Sequence, residues 1–270
     1  MKDYTYVLIP RIKVQNANAM SGYWAMSSEV VMAARQMMHA FSRKVDEVEG
    51  ECGVSIIHHT FQYLGNTANG QYSPQQRRGS NFIDKSDYAG GSSKSLSMQP
   101  TSSMHLKVSL VFRYEDAVID EDDLNDFLLR AKLAGGTIIG HSKIKTFESA
   151  DEVINYVGNG FVIDERYDFD ELVDKPEQMI EKMFDLTSPP SKLNERDEKD
   201  SWIVPAVLGY AEISDKKHRE GSRFDHETAY AEALVGLVQY KSLRMLDDTP
   251  LPFWNYQYPE NGVFTLSTKS

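Results

Sequence analysis

Cysteine is almost missing from this chain: Cys52 is the only one in 270 residues. One thiol makes neither an internal disulfide nor a multi-thiolate zinc site, so disulfide scaffolds and zinc ribbons are excluded, and a reducing compartment suits the chain. Long apolar runs are missing as well. No stretch reaches the roughly 20 apolar residues of a membrane-spanning helix. The start, Met1-Lys2-Asp3-Tyr4-Thr5, leads into a short apolar stretch broken by Pro10 and Arg11, with neither a signal-peptide h-region nor a small-residue cleavage site. A cytoplasmic protein with no membrane partner is expected. Positive charge is in deficit, with 29 Lys and Arg against 40 Asp and Glu and a formal net charge of -11. Global attraction to nucleic acid is thereby ruled out, and a polyanion has to be held by a local patch.

Several motifs are also absent. There is no Gly-Lys-Ser/Thr ending of a P-loop, no G-x-S-x-G elbow, no Ca²⁺ loop with its central Gly, and no internal repeat. Gly135-Gly136 with Gly140 resembles a phosphate loop only superficially, because these glycines follow an expected helix instead of preceding one, and capping of that helix explains Gly135. Acidic runs between Glu115 and Asp200, such as Asp120-Glu121-Asp122-Asp123 and Asp164-Glu165 with Asp168 and Asp170, read as solvated faces. No metal and no cofactor is expected.

What is present is a globular composition, 41% hydrophobic and 26% charged, enough for a sizeable core. Residues 4–14 are β-branched and aromatic, and alternate at their end as a half-buried strand. Ser27 and Ser28 offer an N-cap for a helix carrying Val30, Val31, Ala34, Met37, Met38 and Phe41 at three-four spacing. Residues 52–64 and 104–114 read as strands, the second with Leu106, Val108, Leu110 and Phe112 on one side. Asp120 opens a helix with an acidic first turn, basic Arg130 and Lys132 in its last, and Gly135 after it. Residues 137–139 form a further strand.

That order predicts an α+β chain with a ferredoxin-like (RRM/RAMP-type) βαββαβ core. Residues 1–270 are expected as a single domain. Residues 65–103 are a polar insertion rich in Gly, Ser, Asn and Gln, with Arg77, Arg78, Lys85 and Lys94 against Asp84 and Asp87. Residues 146–200 are a variable acidic region with short helices over 150–157 and 176–184, a strand over 161–163 and an exposed connection over 188–200. Residues 201–270 add a strand over 202–213, a helix over 228–246 and an aromatic hairpin over 254–267.

Three groups of residues carry candidate chemistry. His58 and His59 are neighbours on a strand and project to opposite faces, so they cannot chelate one ion, although His105 can join one of them if the flanking strands pair. Such an imidazole pair suits metal-free proton transfer. Lys216-Lys217-His218-Arg219 with Arg223 forms one basic cluster, and the insertion forms another. Residues 11–19 set Arg11 and Lys13 beside the amides of Gln15, Asn16 and Asn18. These residue types hold phosphates and read base edges, and equally well Asn16 and Asn18 simply build the turn into the helix.

Leu8-Ile9-Pro10-Arg11-Ile12-Lys13-Val14-Gln15-Asn16-Ala17-Asn18-Ala19 resembles the L-x-P-R-x-x-x-Q-N-A-N-A signature of the second Csy subunit, the Cas-five-group protein of type I-F CRISPR surveillance (Cascade) complexes. Similar matches follow in order: Gly53-Val54-x-Ile56-Ile57-x-His59-x-Phe61, then Lys132-Leu133-Ala134-Gly135-Gly136-Thr137-Ile138, then Trp202-Ile203-Val204-Pro205 with Gly209-Tyr210. The resemblance implies a non-catalytic, ferredoxin-like RNA-binding subunit that holds the 5′ handle of the crRNA and links the backbone subunit to the large subunit, meeting target DNA only through the complex. It implies handle contacts from Arg11, Lys13, Gln15, Asn16 and Asn18, with His141 and Lys143. It also implies a thumb in residues 65–103 whose Arg77, Arg78, Lys85 and Lys94 grip phosphates. Two rival readings are a metal-independent crRNA-processing endoribonuclease using His59, His105 or His141, and a protein scaffold without RNA contact.

Overall fold

The computed structural model describes residues 3–20, 22, 25–44, 50–75, 77–78, 98–99, 101–166, 178–187, 202–222, 225–246 and 249–269. In chain order the elements are β1 (Tyr4–Asn18), α1 (Val31–Ser42), β2 (Glu51–Ala68), β3 (Gln71–Pro74), β4 (Arg77–Arg78), β5 (Met98–Gln99), β6 (Ser103–Glu115), α2 (Glu121–Leu128), β7 (Lys132–Leu133), β8 (Gly136–Gly140), β9 (Lys145–Phe147), α3 (Ala150–Val157), β10 (Phe161–Glu165), α4 (Met179–Thr187), β11 (Ile203–Glu212), β12 (Ala231–Ser242), β13 (Asn255–Gln257) and β14 (Val263–Ser267).

Twelve of these strands form one antiparallel sheet in the order β13-β14-β11-β12-β10-β2-β6-β1-β8-β7, with β3 on β2 and β9 on β1. This corrects the expected ferredoxin-like (RRM/RAMP-type) βαββαβ core. The C-terminal strands are not additions beside a small core. They continue the same sheet through β10, which pairs β2 on one edge and β12 on the other. The sheet curls into a half-barrel around α1, so Ala206, Leu208, Val238 and Leu266 join the same apolar cluster as Val7, Ile9, Phe41 and Phe112. Trp254 is buried in that cluster, and its indole Nε1 donates to the Ile163 carbonyl at 2.9 Å. On the opposite sheet face α3 covers a second cluster that includes Leu8, Ile57, Val111, Val153 and Val162. Each such side chain removed from water is worth roughly 1.5–3 kcal/mol.

Local chemistry explains the helices. Asp120 caps α2 by accepting from the Asp122 amide at 2.7 Å, and Ser149 caps α3 by accepting from the Glu152 amide at 3.3 Å. The expected Ser27/Ser28 cap of α1 is corrected. Val30 holds the cap position without a side-chain bond, Glu29 accepts from the Val31 amide, and the buried Ser28 hydroxyl meets Tyr240 at 2.9 Å. The helix after Asp120 ends at Leu128. Gly135 therefore caps no helix, and with Ala134 it makes the β7–β8 turn, both at positive φ (71° and 48°) as a two-residue hairpin requires. The helix expected over 228–246 is strand β12. Its Ala, Leu and Glu favour a helix, but pairing with β11 over nine positions overrides that preference. Among the described residues no helix is long and apolar enough to cross a membrane, and no cluster of His, Cys, Asp and Glu could hold a metal ion.

Candidate nucleic-acid interface

β1 lies between β6 and β8, third from the β7 edge of the sheet, and is interrupted twice. Its register against β6 shifts between Ile9 and Ile12 and again between Val14 and Ala17. Each shift carries a non-glycine residue at positive φ, Arg11 at 57° and Asn16 at 55°. Such bulges re-aim side chains and free backbone amides from the ladder. Both freed amides meet side chains of β6: the Arg11 amide donates to Ser109 Oγ at 3.0 Å, and the Asn16 amide approaches His105 Nδ1 at 3.5 Å.

Strand alternation settles which face these groups share. Leu106, Val108 and Leu110 point into the α1 core, so His105, Lys107 and Ser109 point the other way. The same rule sets Lys13 and Gln15 against Ile12 and Val14 on β1, and both are exposed. Cross-strand pairing brings Thr60 of β2 beside Lys107 and Gln62 beside His105, while Thr137 of β8 lies beside Gln15. α3 and the segments 243–246 and 249–253 cover this face around Leu8, Ile57 and Val111, and α4 covers it at Ile203 and Leu237. Between these patches β1, β2 and β6 present cations and amides to solvent. Arg11, Lys13 and Lys107 form no ion pair among the described residues.

At the border of the covered patch Arg11 is held from three directions. Its Nη1 lies 3.0 Å from His59 Nδ1, its Nη2 donates to Asn159 Oδ1 at 3.1 Å, and His59 Nε2 lies 2.8 Å from Ser109 Oγ. Guanidinium can only donate, so Nδ1 accepts and the imidazole proton sits on Nε2, donating to Ser109. Burial, then the neighbouring Arg11 charge, push the His59 pKa down to about 4, so the ring is neutral near pH 7.

The sequence-predicted residues divide clearly. Arg11, Lys13 and Gln15 share this face. His141 and Lys143 lie in the β8–β9 loop, which the Ser142 amide ties to the Pro10 carbonyl at 2.8 Å, next to Arg11. His141 Nδ1 donates to the Ser142 carbonyl at 2.8 Å, and Lys143 is exposed. Asn16 occupies the second bulge. Asn18 uses its amide in a local turn, donating to the Met20 carbonyl and accepting from the Met20 amide. Arg77 and Arg78 form β4, paired with Gln99 and Met98, and Lys85 and Lys94 lie outside the described residues. Of the Lys216–Arg219 cluster, Lys216 pairs with Glu212 at 2.9 Å, while Arg219 covers the Tyr230 ring and bonds Ser214. Arg223 lies outside the described residues.

His58 and His59 do face opposite sides. His58 is buried against Phe61 and Tyr240 on the core side. His59 and His105 share the open face, but no contact joins them among the described residues. The Ser109 that His59 bonds stands four positions from His105, about 13 Å along a strand. Sequence reasoning missed Lys107, Ser109 and Asn159. Alternation within residues 104–114 was the available signal for the first two, and Asn159 offered none, being 148 residues from Arg11.

A cavity of about 1050 Å³ opens elsewhere, between α1 and β14, lined by Tyr210, Tyr256 and Phe264 with Glu212, Glu227 and Glu260. Lys216 offsets Glu212, but Glu227 and Glu260 leave the lining acidic, so it repels phosphate and is the wrong place for a nucleic acid despite its size.

Two of the motifs that carry the family resemblance, residues 8–19 and 132–138, meet where the β7–β8 hairpin packs on β1. Gly136 of the β7–β8 hairpin packs so tightly on the second bulge that a Cβ there would sit 2.7 Å from the Ala17 amide, and the Asn18 amide donates to the Ala134 carbonyl at 2.8 Å. Comparison with known protein families matches residues 7–266 to the family described as "CRISPR-associated protein (Cas_Csy2)".

Proposed function

Because the chain belongs to the Csy2 family of CRISPR-associated proteins, and so is a subunit of a type I-F Cascade complex, we propose that it holds the single-stranded 5′ handle of the crRNA on the open face of β1, β2 and β6. The observation that carries this reading is the gathering of Arg11, Lys13 and Lys107, none of them ion-paired among the described residues, with exposed Gln15, Thr60 and Gln62 on one face of β1, β2 and β6. Splayed bases are read by such amides, and the phosphates need local cations on an acidic chain. The contact is binding without turnover. His59 has its Nδ1 engaged by Arg11 and is neutral, which suits a structural group better than a proton shuttle near pH 7. The acidic remainder, including the Glu212–Glu227–Glu260 cleft, faces cationic surfaces of the backbone and large subunits.

The test is photocrosslinking of crRNA in the assembled complex, followed by peptide mapping. Crosslinks on residues 11–15, 60–62 and 105–107 are expected, and crosslinks confined to other segments would refute the interface. Incubation with unprocessed repeat RNA, without metal, tests the absence of turnover. Handle-dependent cleavage lost in His59→Ala or His105→Ala would replace this reading with the ribonuclease.

A further inference from the structure

We infer that His59, Ser109 and Asn159 are positioning residues that fix Arg11 as the anchor for one phosphodiester group of the bound strand. The inference rests on the RNA reading above and distinguishes one cation of that face from its neighbours.

Four hydrogen bonds surround this single residue. Ser109 Oγ accepts from the Arg11 main-chain amide at 3.0 Å and from His59 Nε2 at 2.8 Å, while His59 Nδ1 accepts from Arg11 Nη1 at 3.0 Å. Main chain, serine, imidazole and guanidinium thus close a ring that returns to the residue where it began. Asn159 Oδ1 adds the fourth bond, to Nη2 at 3.1 Å. The approach of that segment depends on Gly160, at φ 148°, where a Cβ would lie 2.5 Å from Ile57 Cγ2 and 3.2 Å from the His59 ring.

Two features separate this arrangement from an ordinary surface arginine. Every group that holds Arg11 is neutral, and no carboxylate pairs with it among the described residues, so its charge is aimed but not compensated. Two of its five N–H donors are engaged, which leaves three for a ligand, and a guanidinium fork matches two oxygens of one phosphate. Lys13 and Lys107 have no comparable restraint. A cation whose rotamer is fixed before the ligand arrives loses less freedom on binding, so it fixes where the strand sits as well as how tightly it is held.

The experiment uses the full-length chain and a labelled single-stranded RNA taken from the 5′ repeat-derived part of the guide, titrated across a salt series. Arg11→Ala is expected to weaken binding and lower the log–log salt slope by about 0.7. His59→Ala keeps the Arg11 charge, so binding should weaken about three- to tenfold with the slope unchanged. Asn159→Asp is isosteric and exposed. It gives Arg11 a carboxylate that competes with phosphate, and should weaken binding with a slope shifted towards that of Arg11→Ala. If Arg11→Ala leaves slope and affinity untouched, the RNA reading of this face fails and takes the inference with it. If Arg11→Ala acts as expected while His59→Ala and Asn159→Asp bind like the parent chain, the positioning inference fails alone. Should His59→Ala not fold, Asn159→Asp decides.

Discussion

The side of the sheet that wraps α1 and the side that carries Arg11 treat cations in opposite ways. Around α1, Arg35 is buried against Glu51 at 2.7 Å and beneath the Tyr256 ring at 4.2 Å. Burial works to raise the Glu51 pKa, but hydrogen bonds from Arg35 and Ser42 outweigh it and hold the carboxyl below its ordinary range. Further along the sheet, on the same side as Arg11, Lys241 also meets Asp164 at 2.7 Å, so the contrast belongs to the β1–β2–β6 stretch of that side. On the open face Arg11 has only neutral partners, and Lys13 and Lys107 have no ion pair among the described residues. Net charge conceals this difference. In an acidic chain, the positions from which carboxylates are withheld are more informative than the total.

The sharpest way to break the comparison is to remove a cation from the covered side. Arg35→Ala removes the main partner of the largely buried Glu51 carboxylate, which keeps only Ser42 and His39, and a loss of about 3 kcal/mol is expected in chemical denaturation. The salt slope of RNA binding by the folded fraction should stay at its parent value. A loss below about 1 kcal/mol would mean that the covered pair does not stabilise the fold.

Acid sharpens the comparison from the other direction. Burial pushes the His58 pKa from 6.5 to about 4, opposed by a hydrogen bond with the Ser28 backbone. Between these values the unfolded chain binds a proton that the folded chain does not. Stability is therefore full above pH 6.5 and falls as the pH drops towards 4, by roughly 2–3 kcal/mol for His58 alone. His59 adds a smaller effect of the same sign. Denaturation midpoints measured across this window should fall with pH, and less steeply in His58→Phe, which keeps an aromatic ring against Phe61 and Tyr240.

On the open face, Lys13→Ala with Lys107→Ala should reduce the salt slope by about 1.4, at 0.7 per lost phosphate contact. Stability should move by no more than about 0.5 kcal/mol. A cost to the fold without a change in slope would reverse the assignment of the two sides. The smallest effect is expected from Lys216→Ala. Its bridge to Glu212 is 51% and 32% exposed at the two side chains, so it contributes at most about 1 kcal/mol and nothing to RNA binding.

The strands around the site were legible because alternation is local: Leu106, Val108, Leu110 and Phe112 announce β6 without help from the rest of the chain. β12 was not legible. Ala231-Glu232-Ala233-Leu234 has helical preference, and only β11 on one edge and β10 on the other make it extended. Gly135 reads as a helix cap if the preceding helix runs past Leu128, whereas the hairpin turn it makes depends on β8 reaching β1. At the site, the types of Arg11, Lys13 and Gln15 pointed to phosphate and base contacts. What sequence could not express was that residues 59, 109 and 159 meet around residue 11, since each pairing spans at least 48 positions and arises only from sheet register.

The two bulges of β1 have a structural consequence of their own. Core-facing positions run Val7, Ile9, Ile12, Val14 and Ala17, so each interruption holds one residue that the alternation does not count. Taking out Arg11, or one of Gln15 and Asn16, leaves every remaining apolar side chain on its own face, whereas losing a residue within the regular stretch 5–9 inverts everything downstream. The core therefore places little demand on the identity of these supernumerary positions, which leaves them free to be shaped by whatever lies across the sheet.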